Sequence, residues 1–175
     1  MLERLIATAV AAAMTVFSMT RYRVLNRSFD RTRAALPSQT SFATVYKILV
    51  AIALSIALAS YWNSAPTLLK LYDSDLLRLL GAVVSVAGIF GFEASVWALG
   101  EQYSPCFDLR RPTHRVMTGP YRWLSHPMYV SNVTILIGVL ISSGSVWILV
   151  ATAIVTGYYV RSARTETRAM AHLRT

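Results

Sequence analysis

"GPYRWLSHPMYVSNVTILIGVLISSGSVWILVATAIVTGYYV", residues 119–160, holds two apolar runs, 127–142 and 145–160, parted only by the "SSGS" at 142–145. An α-helix rises about 1.5 Å per residue, so a 15-residue run covers only ~22 Å of a ~30 Å hydrocarbon core. With a tight Ser-Gly turn between them, the runs predict a short helical hairpin, tilted or sheltered by longer helices. At its mouth, His126 and Pro127 follow a Gly119-Pro120 turn and the cluster Tyr121, Arg122, Trp123.

Three further apolar runs lie upstream, at 4–20, 42–62 and 76–99. The second and third meet the length of a membrane span. The chain of 175 residues is 55% hydrophobic and only 14% charged, too apolar for a soluble domain of this size. The expected fold is all-α and integral to a membrane, with five transmembrane helices, the last two forming the short hairpin. The chain reads as one domain, 1–175: three spanning helices in 1–96, then a loop, the hairpin and a C-terminal segment in 97–175. Residues 5–19 are followed by arginines and lack a net positive lead-in, so a retained helix is expected there rather than a signal peptide.

The net charge of +9 lies between the apolar runs. Arg21, Arg23, Arg27, Arg31, Arg33 and Lys47 flank the first gap. Arg110, Arg111, Arg115 and Arg122 occupy 100–126, and Arg161, Arg164, Arg168 and Arg174 close the chain. Five spans put all of these on one face, leaving Arg4, Lys70 and Arg78 on the other. The positive-inside bias makes the basic face cytoplasmic, with the N-terminus outside and the C-terminus inside. Lipid headgroups explain such a distribution better than nucleic acid, for which no usual motif is present. Cys106, the only cysteine, excludes an internal disulfide and a multi-cysteine metal site; no metal is expected.

The 100–126 segment is polar but carries Tyr103, Phe107, Tyr121 and Trp123, a composition poorly suited to disorder. Pro127 disfavours helical dihedrals at His126 and itself suits the first helical position. His126 is then the N-cap, and the amides of Met128, Tyr129 and Val130 lack intrahelical partners, which suits a carboxylate or phosphate. An ordinary aromatic belt of Tyr121, Trp123 and Tyr129 around a polar cap fits the same residues. Glu93, alone within an apolar run, shares a helix face with Trp97 and Gly100. It is expected to face the bundle or to be protonated, contacting either a ligand or a neighbouring helix. The small residues of "GAVVSVAG" at 81–88 point to close helix packing.

"WALGEQYSP…HRVMTGPYRWLSHPMY" at 97–129, followed after the hairpin by "RTETRAM" at 164–170, resembles the isoprenylcysteine carboxyl methyltransferase family, which shares its C-terminal core with phospholipid N-methyltransferases. The family pattern is H-x-L-V-T-x-G-x-Y, then R-H-P-x-Y, a hydrophobic hairpin and R-x-E-E-x-x-L; here Ser125 and Thr167 depart from it. The resemblance implies an enzyme that transfers a methyl group from S-adenosylmethionine to a lipophilic acceptor, a prenylcysteine-like carboxylate or a lipid-like molecule, at the cytoplasmic face. Carried over by position, His114, Arg115, Val116, Met117, Tyr121, His126, Pro127, Met128, Tyr129 and Glu166 would hold the cofactor. Arg164 and Glu166 would be catalytic, and Arg161, Arg164, Glu93 and Trp97 would meet the acceptor. With both nearby histidines assigned to the cofactor, an acceptor that is already ionised is favoured. Two other readings stand beside this one: a sterol-reductase-like enzyme binding NADPH, and a degenerate family member acting as a membrane scaffold. Membrane lipids are the expected surroundings in each.

Overall fold

The computed structural model describes Ile48 and residues 71–72, 74–103 and 114–171. The expected spans at 4–20 and 42–62 lie outside the described residues, apart from Ile48. Among the described residues all regular structure is helical. Helix α1 is Asp75–Leu99, α2 is Pro127–Ser143 and α3 is Val146–Ala171; short 3₁₀ turns occupy Gly100–Gln102 and Gly119–Arg122.

Local chemistry sets the ends of these helices. Asp75 opens α1, where a carboxylate suits the helix dipole, and it pairs with Arg78 at 2.6 Å. Gly100 closes α1 with φ 49 and donates its N–H to the Val96 carbonyl. Pro127 starts α2, and Gly144 stops it in the left-handed conformation, φ 60, donating to Leu140 O. A side chain at 144 would also meet the backbone of Tyr72, whose carbonyl oxygen lies 2.7 Å from the Cβ position. Within the apolar helices hydroxyls turn back on their own backbone, as Thr152 does on Ile148 O at 2.7 Å and Ser95 on Gly91 O at 2.6 Å. Each thereby satisfies a polar group that would be costly to bury alone.

Helices α1 and α2 run antiparallel and almost touch. Gly81 lies against Ser142, Gly88 against Ile135, and Gly91 against the Ser131 hydroxyl. The Ser85 hydroxyl donates across the contact to Ile135 O at 3.2 Å. The small residues at 81–88 therefore serve packing, as their spacing predicts. Apolar surface gains little by leaving lipid for another apolar surface, so helices in a membrane associate through close van der Waals contact and bridging hydroxyls. The Tyr72 hydroxyl caps the far end of the pair, donating to Leu140 O and Ile141 O at 3.1 and 2.8 Å. The other side of α1 presents Leu76, Leu79, Val83, Phe90 and Trp97 outward.

The hairpin forms, but its arms are unequal, which corrects the expectation of two short ones. Helix α2 has 17 residues and α3 has 26, or ~25 and ~39 Å. The run beyond Val160 contains Ala163, Glu166 and Arg168 and no glycine or proline. Such residues extend a helix readily, although their polarity marks the end of the apolar run. Asp75–Gln102 and Val146–Arg168 are long and apolar enough to cross a membrane, with 22% and 33% of their most apolar windows buried. Their apolar faces thus point mostly outward, unlike the core helices of a soluble protein.

The contact between α1 and α2 should tolerate no side chain. A Cβ at Gly138 would lie 2.5 Å from Ser85 N and 2.6 Å from Gly81 O. Gly138→Leu is expected to cost about 1–3 kcal/mol. Gly157, with nothing within 4 Å of its Cβ position, should gain about 0.5–1 kcal/mol as Gly157→Ala. Thermal unfolding of both variants in detergent checks the contrast.

Candidate active site at the mouth of the hairpin

The N-terminal end of α2 meets the extended part of α3. On α3, Val155, Tyr158 and Ser162 are buried, and with Tyr159 and Glu166 they form one inward stripe at helical spacing. Opposite them Met128 and Tyr129 join Val96 and Tyr103 in a buried cluster, with Phe92, Leu99, Tyr159 and Ala163 packed around it. The Tyr129 ring lies nearly parallel to Tyr159, with centroids 4.9 Å apart. The His126 ring also stacks on Tyr129, with centroids 5.7 Å apart. Three rings from two helices thus form one ladder.

Glu166 is the polar centre of this ladder. The Tyr129 hydroxyl donates to Glu166 Oε1 at 2.6 Å. His126 Nδ1 lies 3.2 Å from Glu166 Oε2, and His126 Nε2 lies 2.9 Å from the Thr167 hydroxyl. The imidazole is therefore held on both edges by α3 and on one face by Tyr129. His126 has the non-helical dihedrals of an N-cap but makes no side-chain cap bond.

This arrangement revises the expected anion cradle. The amide of Val130 is not free, because it donates to His126 O at 3.2 Å. An N-cap residue contributes its carbonyl to the first intrahelical bond even where its side chain turns elsewhere. Met128 and Tyr129 have buried side chains, so that end of the helix packs against protein, with Glu166 directed at it.

The other expected residues are placed variously. Tyr121 is half-buried on the second 3₁₀ turn, held there by Gly119 at φ 55, whose Cβ position lies 3.2 Å from the Ala98 methyl. Burial first, and then the charge of Glu166 and the Tyr103 phenol, push the Tyr121 hydroxyl well above its ordinary value, so it stays protonated. His114, Arg115 and Met117 are exposed on the approach to that turn, and Val116 is half-buried. Pro127 is fully buried. Glu93 is half-buried on α1, while Trp97 is 76% exposed on the outward stripe, away from the ladder.

Beside the ladder lies an open recess of about 400 Å³ lined by His126, Val160, Ala163, Arg164, Thr167 and Arg168. Arg164 borders it and Arg161 does not. Thr167, Arg168 and Tyr159 were not singled out as site residues from sequence. Their signal was the helical period: residues 159, 163 and 166 share one face, and 160, 164, 167 and 168 share the next, once α3 is known to continue.

A family model described as phospholipid methyltransferase matches residues 76–173, more than half of the chain and all three described helices. The isoprenylcysteine carboxyl methyltransferase-like proteins fall in the same family. No curated protein and no solved structure matches the chain.

Two measurements test the ladder. Tyr129→Phe removes a hydrogen bond to a carboxylate and should cost about 1.5–3 kcal/mol in thermal unfolding, whereas Thr134→Ala, whose hydroxyl bonds, among the described residues, to Val130 O of its own helix, should change stability by less than about 0.5 kcal/mol. Unfolding lets the Tyr121 phenol ionise at its ordinary pKa of about 10. The stability that rests on the protonated phenol is therefore complete below that pH and lost as pH rises above it. Tyr121→Phe should flatten the alkaline fall in unfolding temperature.

Proposed function

We propose that this chain, which belongs to the phospholipid methyltransferase family, binds S-adenosylmethionine at the mouth of the hairpin. There it methylates a lipophilic acceptor on the cytoplasmic side of a membrane. The observation that carries this reading is the convergence of Tyr129 and His126 on Glu166, which joins the two sequence motifs across the hairpin. A carboxylate beside stacked aromatic faces suits a cofactor bearing a sulfonium and an ammonium. Glu166, the face of His126 turned away from Tyr129, and Tyr121 would hold it, with Val116 and Met117 nearby in sequence order and Tyr129 holding Glu166 in place. When bound, the cofactor supplies a methyl group already activated by its positive sulfur.

The protein's part is then alignment and exclusion of water. Glu166 is held by the Tyr129 hydroxyl, with His126 Nδ1 3.2 Å from its other oxygen, and so is positioned before binding. The ring ladder keeps the imidazole in one plane. Arg164, on the recess side, would face the acceptor, with Val160 and Ala163 giving it an apolar wall. A lipid-like acceptor can reach this wall laterally, along the outward apolar surface of α3.

Charge supports the sidedness. In an antiparallel hairpin the start of α2 and the end of α3 share one level, and Arg115, Arg122, Arg161, Arg164 and Arg168 cluster at that level. By the positive-inside bias such a level is cytoplasmic, where S-adenosylmethionine is available.

Equilibrium dialysis of the detergent-purified protein against labelled S-adenosylmethionine should show saturable binding, weakened at least about tenfold in Glu166→Ala and in His126→Ala. NADPH should not bind. Failure to bind S-adenosylmethionine, or binding indifferent to Glu166→Ala, would defeat the proposal. Labelled-methyl transfer into a membrane extract, with identification of the product, reads out the acceptor.

A further inference from the structure

We infer that His126 and Glu166 form an imidazole–carboxylate dyad whose Nε2 takes a proton from the methyl acceptor, and that the acceptor carries a weakly acidic O–H or S–H, phenol or thiol in class, on an apolar body. The inference rests on the methyltransferase reading above and names its acceptor chemistry.

The two ring nitrogens have different neighbours. Nδ1 faces Glu166 Oε2 at 3.2 Å. An ionised carboxylate can only accept, so Nδ1 carries the hydrogen and Nε2 keeps its lone pair. Nε2 meets the Thr167 hydroxyl at 2.9 Å, and both residues line the recess. At residue 167 the family pattern has a second glutamate, which would hold a proton on Nε2. A threonine hydroxyl can instead donate to Nε2 and rotate away when an acceptor enters. Glu166, fixed by the Tyr129 phenol, steadies the imidazolium that forms, as a carboxylate does behind any general-base histidine. The imidazole is thus not committed to cofactor contacts on both edges, and an acceptor ionised in advance is no longer required.

The recess also selects among proton-bearing nucleophiles. Glu166 is turned inward and does not line it, whereas Arg164 and Arg168 do. Among the described residues neither arginine has an ion-pair partner. Two guanidiniums beside the base repel an incoming ammonium and stabilise the anion that forms on oxygen or sulfur. Among the described residues the other groups near the dyad are phenols: Tyr129 on α2, bonded to Glu166, and Tyr121 on the 3₁₀ turn, which feels both the Glu166 charge and the Tyr103 phenol. The step balances. The X–H bond breaks, and its pair forms the X–C bond to the methyl of the sulfonium donor. The C–S pair returns to sulfur as a neutral thioether, and the proton passes to Nε2.

Nitrogen-15 spectra of histidine-labelled protein in micelles read the ring directly; the chain has three histidines, and His126→Gln identifies the signal. The expected neutral ring carries its hydrogen on Nδ1 and converts to the other tautomer or to a mixture in Glu166→Gln. A neutral ring that carries its hydrogen on Nε2 overturns the inference. In a labelled-methyl assay at saturating S-adenosylmethionine, an alkylphenol and an alkanethiol should each exceed the matched alkylamine and fatty acid at least tenfold. The rate should rise with pH along a limb that His126→Gln removes. Preference for the amine or the fatty acid, or an unchanged limb in His126→Gln, overturns it. Cofactor binding is measured first by dialysis: its absence sinks the methyltransferase reading itself, whereas binding with amine preference sinks only this inference.

Discussion

Glu166 is a carboxylate half-buried at the end of a largely apolar helix, and the site depends on how its charge is received. The Tyr129 hydroxyl donates to one oxygen, and His126 Nδ1 lies 3.2 Å from the other. Both groups come from the start of α2, so one carboxylate ties the opening of one hairpin arm to the far part of the other. Without the Tyr129 hydroxyl the carboxylate would have to turn to solvent or be neutralised, at a cost of several kcal/mol if it stayed buried. The ring ladder and the recess both follow from this tie, because Tyr159 meets Tyr129, and Thr167 meets His126, only when the arms are held in this register.

The tie in turn needs α2 to be placed correctly, and small residues do that. Gly81, Gly88 and Gly138 bring α1 and α2 together with hardly any side chain between them. Sequence order then carries α1 through Val96 to Tyr103, beneath Met128 and Tyr129. A wider crossing would pull this floor from under the ladder. Packing of backbone against backbone thus positions the ladder at a distance.

Positive charge gathers around the mouth of the hairpin. Arg164 and Arg168 border the recess, and Arg161 lies on the same helix. A rim of guanidiniums suits the boundary between an apolar helix and water, and it favours an anion over a cation in the space beside it.

Much of this was legible in the residues themselves. The apolar runs at 76–99, 127–142 and 145–160, the Ser-Gly turn, the glycine-rich packing strip and Pro127 as a helix start all follow from local rules. Each depends only on neighbours a few positions away, and the family motifs pointed to His126, Tyr129 and Glu166 together. The length of α3 was not read, because hydropathy falls at Arg161 while helix propensity continues; the apolar run ended and the helix did not. The direction of the His126 ring was not read either, since an N-cap position fixes the backbone and leaves χ1 to tertiary contacts. The sequence by itself thus determined where the three described helices begin and that His126, Tyr129 and Glu166 belong to one set of motifs. Only the tertiary structure decided which edge of the imidazole meets Glu166, that Thr167 takes the other, and that Arg164 rather than Arg161 borders the recess. Those choices hang on the rotation of α3 about its own axis, which packing against Tyr129 and Val96 sets.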